Sequence, residues 1–163
     1  MLQRLLLKNT PADVLVTPYR NTSARQELLS FPQQNTEIPF CTVWITQIEQ
    51  IHQFVQQIPD LAWELMEYAT EPLSLVYTRA KPWPGERKVL TEVCVRLLTH
   101  PKALKLLGSN QPWISVETDH LMDKKQGVAW TEKEVDCFDA RIAPQKLKIM
   151  RVYDDDSFTF LQQ

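Results

Sequence analysis

The sequence predicts an α/β (α+β) fold: a single domain over residues 1–163 in which helices pack on one twisted, mixed β-sheet. Two observations carry that expectation. Short runs of β-branched and aromatic residues recur at 40–45, 73–78, 93–98 and 113–116, each the length of a buried strand. Between them stand segments with apolar residues at helical spacing or loops rich in proline, and such alternation builds a sheet under helical cover. A chain of 163 residues is long enough to bury a core without disulfides or metals.

In chain order, residues 13–17 read as a short strand ended by Pro18. Residues 20–37 are polar and interrupted by Pro32, which predicts a loop or a broken helix. After strand 40–45, Thr46 with Glu49 three residues on has the pattern of a capping box. Ile48, Ile51, Val55 and Ile58 follow at helical spacing and predict an amphipathic helix over 47–57. Pro59-Asp60 restarts the chain, and Leu61, Leu65 and Tyr68 or Ala69 mark a second helix capped by Asp60. Strand 73–78 leads into the rigid loop Lys81-Pro82-Trp83-Pro84-Gly85, and strand 93–98 follows. Thr99-His100-Pro101 opens a short helix closed by Gly108. Strand 113–116, a helix over 131–138 with a Thr131/Glu134 box, strand 147–153, a turn at 154–157 and strand 158–161 complete the chain.

Composition excludes several chemistries. Hydrophobic content of 44% and charged content of 23% exclude wholesale disorder. Only Gly85, Gly108 and Gly127 stand against eleven prolines, which excludes a Gly-rich phosphate loop. No Gly-x-Ser-x-Gly elbow exists, and His52, His100 and His120 show no metal-ligand spacing with each other or with a cysteine. Asp154-Asp155-Asp156 lacks the glycine and distal glutamate of a calcium loop and reads as a hairpin turn. Trp83, between two prolines, is the tryptophan best placed to stack on a partner, although packing against its own domain is the expected state.

Cys41, Cys94 and Cys137 are odd in number and far apart, and the N-terminus has neither a signal-peptide core nor a cleavage site. Reduced thiols in a cytoplasmic protein are the expectation, and no apolar run approaches a membrane span. Residues 26–78 hold seven acidic side chains and no Lys or Arg. Residues 79–151 hold fourteen basic and nine acidic side chains, interspersed, so a solvated mixed surface is favoured over a nucleic-acid stripe.

At residues 38–81 the order of strand, capped helix, second helix and Glu71-Pro72-Leu73-Ser74-Leu75-Val76-Tyr77 resembles the YrdC-like family, the threonylcarbamoyl-AMP synthases of tRNA modification. That family has a Lys-Pro-Leu strand start, a helix pair and a Pro-Gly-Pro-Leu-Thr-Leu-Val-Leu strand in this order. Val93-Cys94-Val95-Arg96-Leu97-Leu98-Thr99-His100-Pro101 is similar to the family's Val-Gly-Val-Arg-x-Pro-x-His-Pro. Gln111-Pro112-Trp113-Ile114-Ser115 stands where the family places the strand leading to Ser-x-Asn. The resemblance extends over residues 13–161 and is specific over 39–115. It implies a YrdC/RibB-like fold. For an active member it implies ATP, magnesium, L-threonine and bicarbonate as reactants in threonylcarbamoyladenosine formation.

Carried over residue by residue, Ser74 replaces the family's strand threonine and Arg96 stands for its strand arginine. Pro18 stands at the start of the motif Pro-Thr-x-Thr-x-Tyr-Gly-Leu, but Tyr19-Arg20-Asn21 follows. The family's Lys-x-Arg would fall near residues 32–34, where no basic residue exists. Ser-x-Asn would fall at Glu117-Thr118-Asp119, which puts carboxylates in place of neutral donors. A nucleotide pocket needs cations or aligned donors for its phosphates. Missing cations and added carboxylates oppose such binding by an amount on the order of several kcal/mol.

The resulting expectation is a cytoplasmic YrdC-like domain with a degenerate active site that has lost synthase activity and serves as a binding or regulatory protein. No catalytic residue and no metal site is assigned. The ligand-binding candidates are Pro18, Ser74, Arg96, Ser115, Glu117 and Asp119, with Ser74 and Arg96 within the inherited concave face and Glu117 and Asp119 on its rim. No cofactor is assigned, and ATP with magnesium enters only if the family activity survives. One alternative is a divergent synthase in which Arg20, Arg25 or the Lys124-Lys125 loop supplies the missing charge. Another is a double-stranded RNA or tRNA-binding module using the basic half. A third is a different α/β fold, decided by whether one sheet runs continuously through Phe40, Val76 and Val95. The expected partner is an RNA or a protein rather than a membrane, and the expected assembly is a monomer or a weak homodimer.

Overall fold

The computed structural model describes residues 3–7, 13–30, 42–68, 73–85, 91–97, 105, 111–118, 131–135 and 148–162. Their strands are β1 (Gln3–Leu7), β2 (Asp13–Pro18), β3 (Thr42–Ile45), β4 (Leu73–Tyr77), β5 (Val93–Leu97), β6 (Trp113–Thr118), β7 (Thr131–Val135), β8 (Lys148–Val152) and β9 (Phe158–Gln162). All nine join one sheet in the order β7-β1-β2-β6-β3-β5-β4-β8-β9. The pairs β1/β7, β3/β5 and β4/β8 are parallel and the others antiparallel, so the sheet is mixed as predicted. The strands carrying Val76 and Val95 are neighbours, and β3 lies directly beyond β5. Phe40 lies outside the described residues.

Side chains alternate across each strand, which gives the sheet two faces. One face carries Leu15, Val43, Ile45, Leu75, Val95 and Ile114, all at most 2% exposed. The helical elements add Ala24 and Leu28 from α1 (Thr22–Leu29), Ile51 from a 3₁₀ helix (Ile48–Gln53), and Ala62 and Met66 from α2 (Asp60–Tyr68) to the same cluster. Each aliphatic or aromatic side chain buried there contributes about 1.5–3 kcal/mol, opposed by the entropy of ordering the chain.

Helix α1 occupies part of 20–37, where the sequence left loop and broken helix open. Asn21 caps it by accepting the Ala24 N–H at 3.1 Å. Arg25 is buried in this helix, donating Nη1 to the Tyr19 carbonyl at 2.8 Å and Nη2 to the Pro84 carbonyl. Its guanidinium lies 4.8 Å from the Tyr19 ring centroid and 5.8 Å from that of Trp83. Trp83 itself is 3% exposed and meets Tyr19 edge-on with centroids 5.4 Å apart, so it is a core residue. The loop then turns at Gly85 with φ +82°, and a Cβ there would stand 3.3 Å from Thr22 Cγ2.

The predicted helix over 47–57 is corrected to the 3₁₀ helix. Gln50, not Glu49, closes its start: the Gln50 Oε1 accepts the N–H of Thr46 at 2.8 Å and of Gln47 at 3.3 Å. The Phe54 and Val55 N–H groups still donate to the Ile51 carbonyl, at 3.0 and 3.1 Å, and then the backbone turns to a different partner. Val55 bridges Ala80, Gln56 N–H donates to Arg79 O, and Lys81 N–H donates to Phe54 O, both at 2.8 Å. Groups committed to a neighbouring segment cannot continue a helical ladder.

The predicted helix over 131–138 is likewise corrected, because Thr131–Val135 is strand β7, parallel to β1 along its whole length. Residues 3–7, for which the sequence predicted no element, supply the partner. Five residues of strand pairing override a capping-box pattern too short to hold a helix alone. The short helix expected after Thr99-His100-Pro101 lies outside the described residues, Lys105 excepted.

Asp154-Asp155-Asp156 makes the β8–β9 turn as expected, and each carboxylate has its own work. Asp154 pairs with Arg79 at 2.6 Å. Asp155 accepts the Ser157 N–H at 3.0 Å and its hydroxyl. Asp156 adopts φ 65° and accepts the Leu61 N–H at 3.1 Å, which ties the hairpin to the start of α2.

Candidate functional site

The other face of the sheet gathers the residues that the sequence singles out. Ser74 on β4 stands opposite Arg96 on β5, Arg96 opposite Trp44 on β3, Trp44 opposite Trp113 on β6, and Trp113 opposite Pro18 on β2. One cross-strand row therefore runs Ser74, Arg96, Trp44, Trp113, Pro18. Ser115 lies two residues along β6 from Trp113, on the same face, paired with Thr42 and Val16. Directly opposed residues on one face have Cβ atoms about 4.5–5.5 Å apart, so these five strands present a contiguous polar and aromatic strip. Glu117 holds the β6 position opposite Val14, and Asp119 lies outside the described residues.

The strip is buried. Ser74, Ser115, Trp44 and Trp113 are at most 6% exposed, and Arg96 is 7% exposed. The Arg96 guanidinium carbon lies 5.1 Å from the Trp44 ring centroid, a cation–π contact in a desolvated setting. The same indole donates its Nε1–H to the Ser115 hydroxyl. Trp44 thus occupies the space between the arginine and the serine and engages both. The Trp113 Nε1–H is buried and has no hydrogen-bond partner among the described residues. Leaving such a donor unmet costs about 1–3 kcal/mol.

Arg25 does not join Arg96. It is held against Tyr19, Pro84 and Trp83, and its ring partners belong to the cluster on the opposite side of the sheet. Arg20 is exposed, and Lys124 and Lys125 lie outside the described residues. Among the described residues no group of three or more His, Cys, Asp or Glu could hold a metal ion, and no helix is long and apolar enough to cross a membrane.

Trp44 and Trp113 are buried, as tryptophans inside strand patterns should be, and the structure adds that both belong to the strip with Ser115. The signal was present in the strand alternation. Val43 and Ile45 alternate with Thr42 and Trp44, and Ile114 and Val116 with Trp113 and Ser115, so both tryptophans share the face of Ser115.

No protein-family model matches the chain, and no curated protein matches its sequence. Solved structures do match. A double-alanine variant of Sua5 from P. abyssi superposes with a TM-score of 0.50 at 25% identity, over 70% of this chain and 33% of that one. This chain therefore spans about a third of the length of that relative. P. abyssi Sua5 complexed with L-threonine gives a TM-score of 0.48 at 23% identity, over 69% of this chain and 34% of the other. E. coli YciO superposes with a TM-score of 0.56 at 16% identity, covering 99% of this chain and 82% of its own. The mixed sheet, its helical cover and the superpositions on the Sua5 variant and on YciO together give the chain the YrdC-like fold that residues 39–115 resemble.

Proposed function

We propose that this chain is a YrdC-like domain without threonylcarbamoyl-AMP synthase activity, acting as a binding or regulatory protein. The observation that carries the reading is the position of Trp44. Its ring covers the Arg96 guanidinium and its N–H takes the Ser115 hydroxyl, so two carried-over ligand candidates are engaged by the chain's own indole. A nucleotide phosphate or a substrate carboxylate at this strip would have to displace a buried aromatic ring before meeting the arginine. Arg25, one substitute cation considered for a divergent synthase, is committed on the far side of the sheet.

The test is direct. The purified chain, given ATP, magnesium, L-threonine and bicarbonate, is expected to form no carbamoyl adenylate, and calorimetry with magnesium-ATP is expected to give no saturable heat with or without threonine. Adenylate formation, or ATP binding tightened by threonine, would establish the divergent synthase instead.

A further inference from the structure

The large hydrophobic side chains that the described residues leave exposed gather beside α2 on the helical face of the sheet. Phe158 and Phe160 are 48% and 40% exposed, and Tyr68, which closes α2, is 73% exposed. Phe158 pairs with Val152 and Phe160 with Met150, both members of the core cluster, so the phenylalanines share the cluster's face and not the face of the strip. Their rings meet edge to face with centroids 5.5 Å apart. Helix α2 lies over β4, where the Tyr77 hydroxyl donates to the Met66 sulfur, and β9 is two strands further out. Two strand spacings amount to about 9.5 Å, which matches the roughly 8–10 Å between packed helices. The phenylalanine pair therefore marks the place of a helix beside α2, and no helix among the described residues fills it. One flank of α2 makes the wall of this trough. Trp63 faces the 3₁₀ helix on the β3 side through His52, with ring centroids 5.9 Å apart. At about 100° per residue, Leu61, Leu65 and Tyr68 stand on the opposite flank, toward β9.

We propose that this trough docks a cationic amphipathic helix of another protein. Charge selects the occupant. Asp60, Glu64 and Glu67 form an exposed acidic stripe along α2 at i, i+4 and i+7, and exposed Asp155 and Asp156 stand just before Phe158. Residues 47–68 and 153–162 contain no Lys or Arg, and Arg79 is paired with Asp154. An isologous contact between two copies would set these carboxylates against their own kind. The phosphates of RNA or of an anionic membrane meet the same repulsion. A helix with leucine or phenylalanine along one face covers the aromatic floor, and Lys or Arg beside that face meets the acidic rim. The trough and the strip lie on opposite faces of the sheet, so this docking holds or fails independently of whether the synthase site is closed.

Fluorescence anisotropy tests this, with the full chain titrated into a labelled synthetic helix of leucine and lysine, about five turns long, its lysines on one face. Saturable binding that weakens with added salt is expected, and the same helix with glutamate for lysine should not bind. Phe158→Ser with Phe160→Ser, and separately Glu64→Lys with Glu67→Lys, should each weaken binding by roughly tenfold or more. All four positions are exposed, so melting curves should stay close to the parent's, and the charge-reversed pair leaves the aromatic floor intact. Glu49→Lys, an exposed reversal on the 3₁₀ helix, should leave the affinity within about twofold. No saturable binding, equal binding of the glutamate helix, or equal weakening by Glu49→Lys overturns the proposal. So does binding indifferent to Phe158→Ser with Phe160→Ser, or self-association of the parent chain, seen by sedimentation, that the same variants abolish, since the occupant would then be a second copy.

Discussion

Between Arg96 and Ser115, the Trp44 indole serves as packing, as cation–π partner and as hydrogen-bond donor, and substitutions separate these roles. Trp44→Phe keeps a ring over the guanidinium but loses the N–H, and it is expected to cost about 1–2 kcal/mol. Trp44→Ala removes the ring as well and is expected to cost about 3–5 kcal/mol. Urea unfolding of both variants measures the difference, and equal losses would show that the ring over Arg96 contributes nothing. Tyr77 carries a second expectation at this scale. Burial, with Cys94 adding to it, holds its phenol well above the usual tyrosine range, while its hydroxyl donates to the Met66 sulfur at 2.7 Å. The unfolded chain releases that proton above about pH 10 and the folded chain retains it, so stability is intact below that pH and falls as pH rises past it. Urea midpoints on either side of about pH 10 should show this decline in the parent chain and a flatter profile in Tyr77→Phe.

Among the elements, the β8–β9 hairpin and α2 depend on one side chain. Asp156 holds a left-handed backbone and caps Leu61, two tasks that asparagine also performs and alanine does not. Asp156→Ala is expected to cost about 1–2 kcal/mol and Asp156→Asn only a few tenths, a contrast readable in thermal melts. Elements were legible in the sequence where burial was total. Strands β3, β4, β5 and β6 are covered on both faces, so nearly every residue is apolar, β-branched or aromatic and the run announces itself. The 3₁₀ helix was misread because Ile48, Ile51 and Val55 satisfy a helical period whether or not the backbone completes a helix. Only the Val55–Ala80 bridge decides that it does not. Strand β7 was misread for the opposite reason: its charged, half-polar sequence suits a helix surface as well as a sheet edge, and β1 makes the choice.

As a whole molecule, the chain is one sheet with a helical core on one face and a polar, aromatic strip on the other. A purified chain that binds no magnesium-ATP and makes no adenylate would agree with a strip closed by its own tryptophan. The sequence by itself determined the fold class, because a sheet buried on both faces demands a composition that few other structures share. It also determined that Ser74 and Arg96 belong together, through the order of segments that resembles the YrdC-like family. Only the tertiary structure decided that Arg25 and Arg96 lie on opposite sides of the sheet and that Trp44 separates Arg96 from Ser115. The physical reason is register. Alternation along one strand tells which residues share a face, but which of them meet depends on how distant strands align, and long-range pairing makes that alignment.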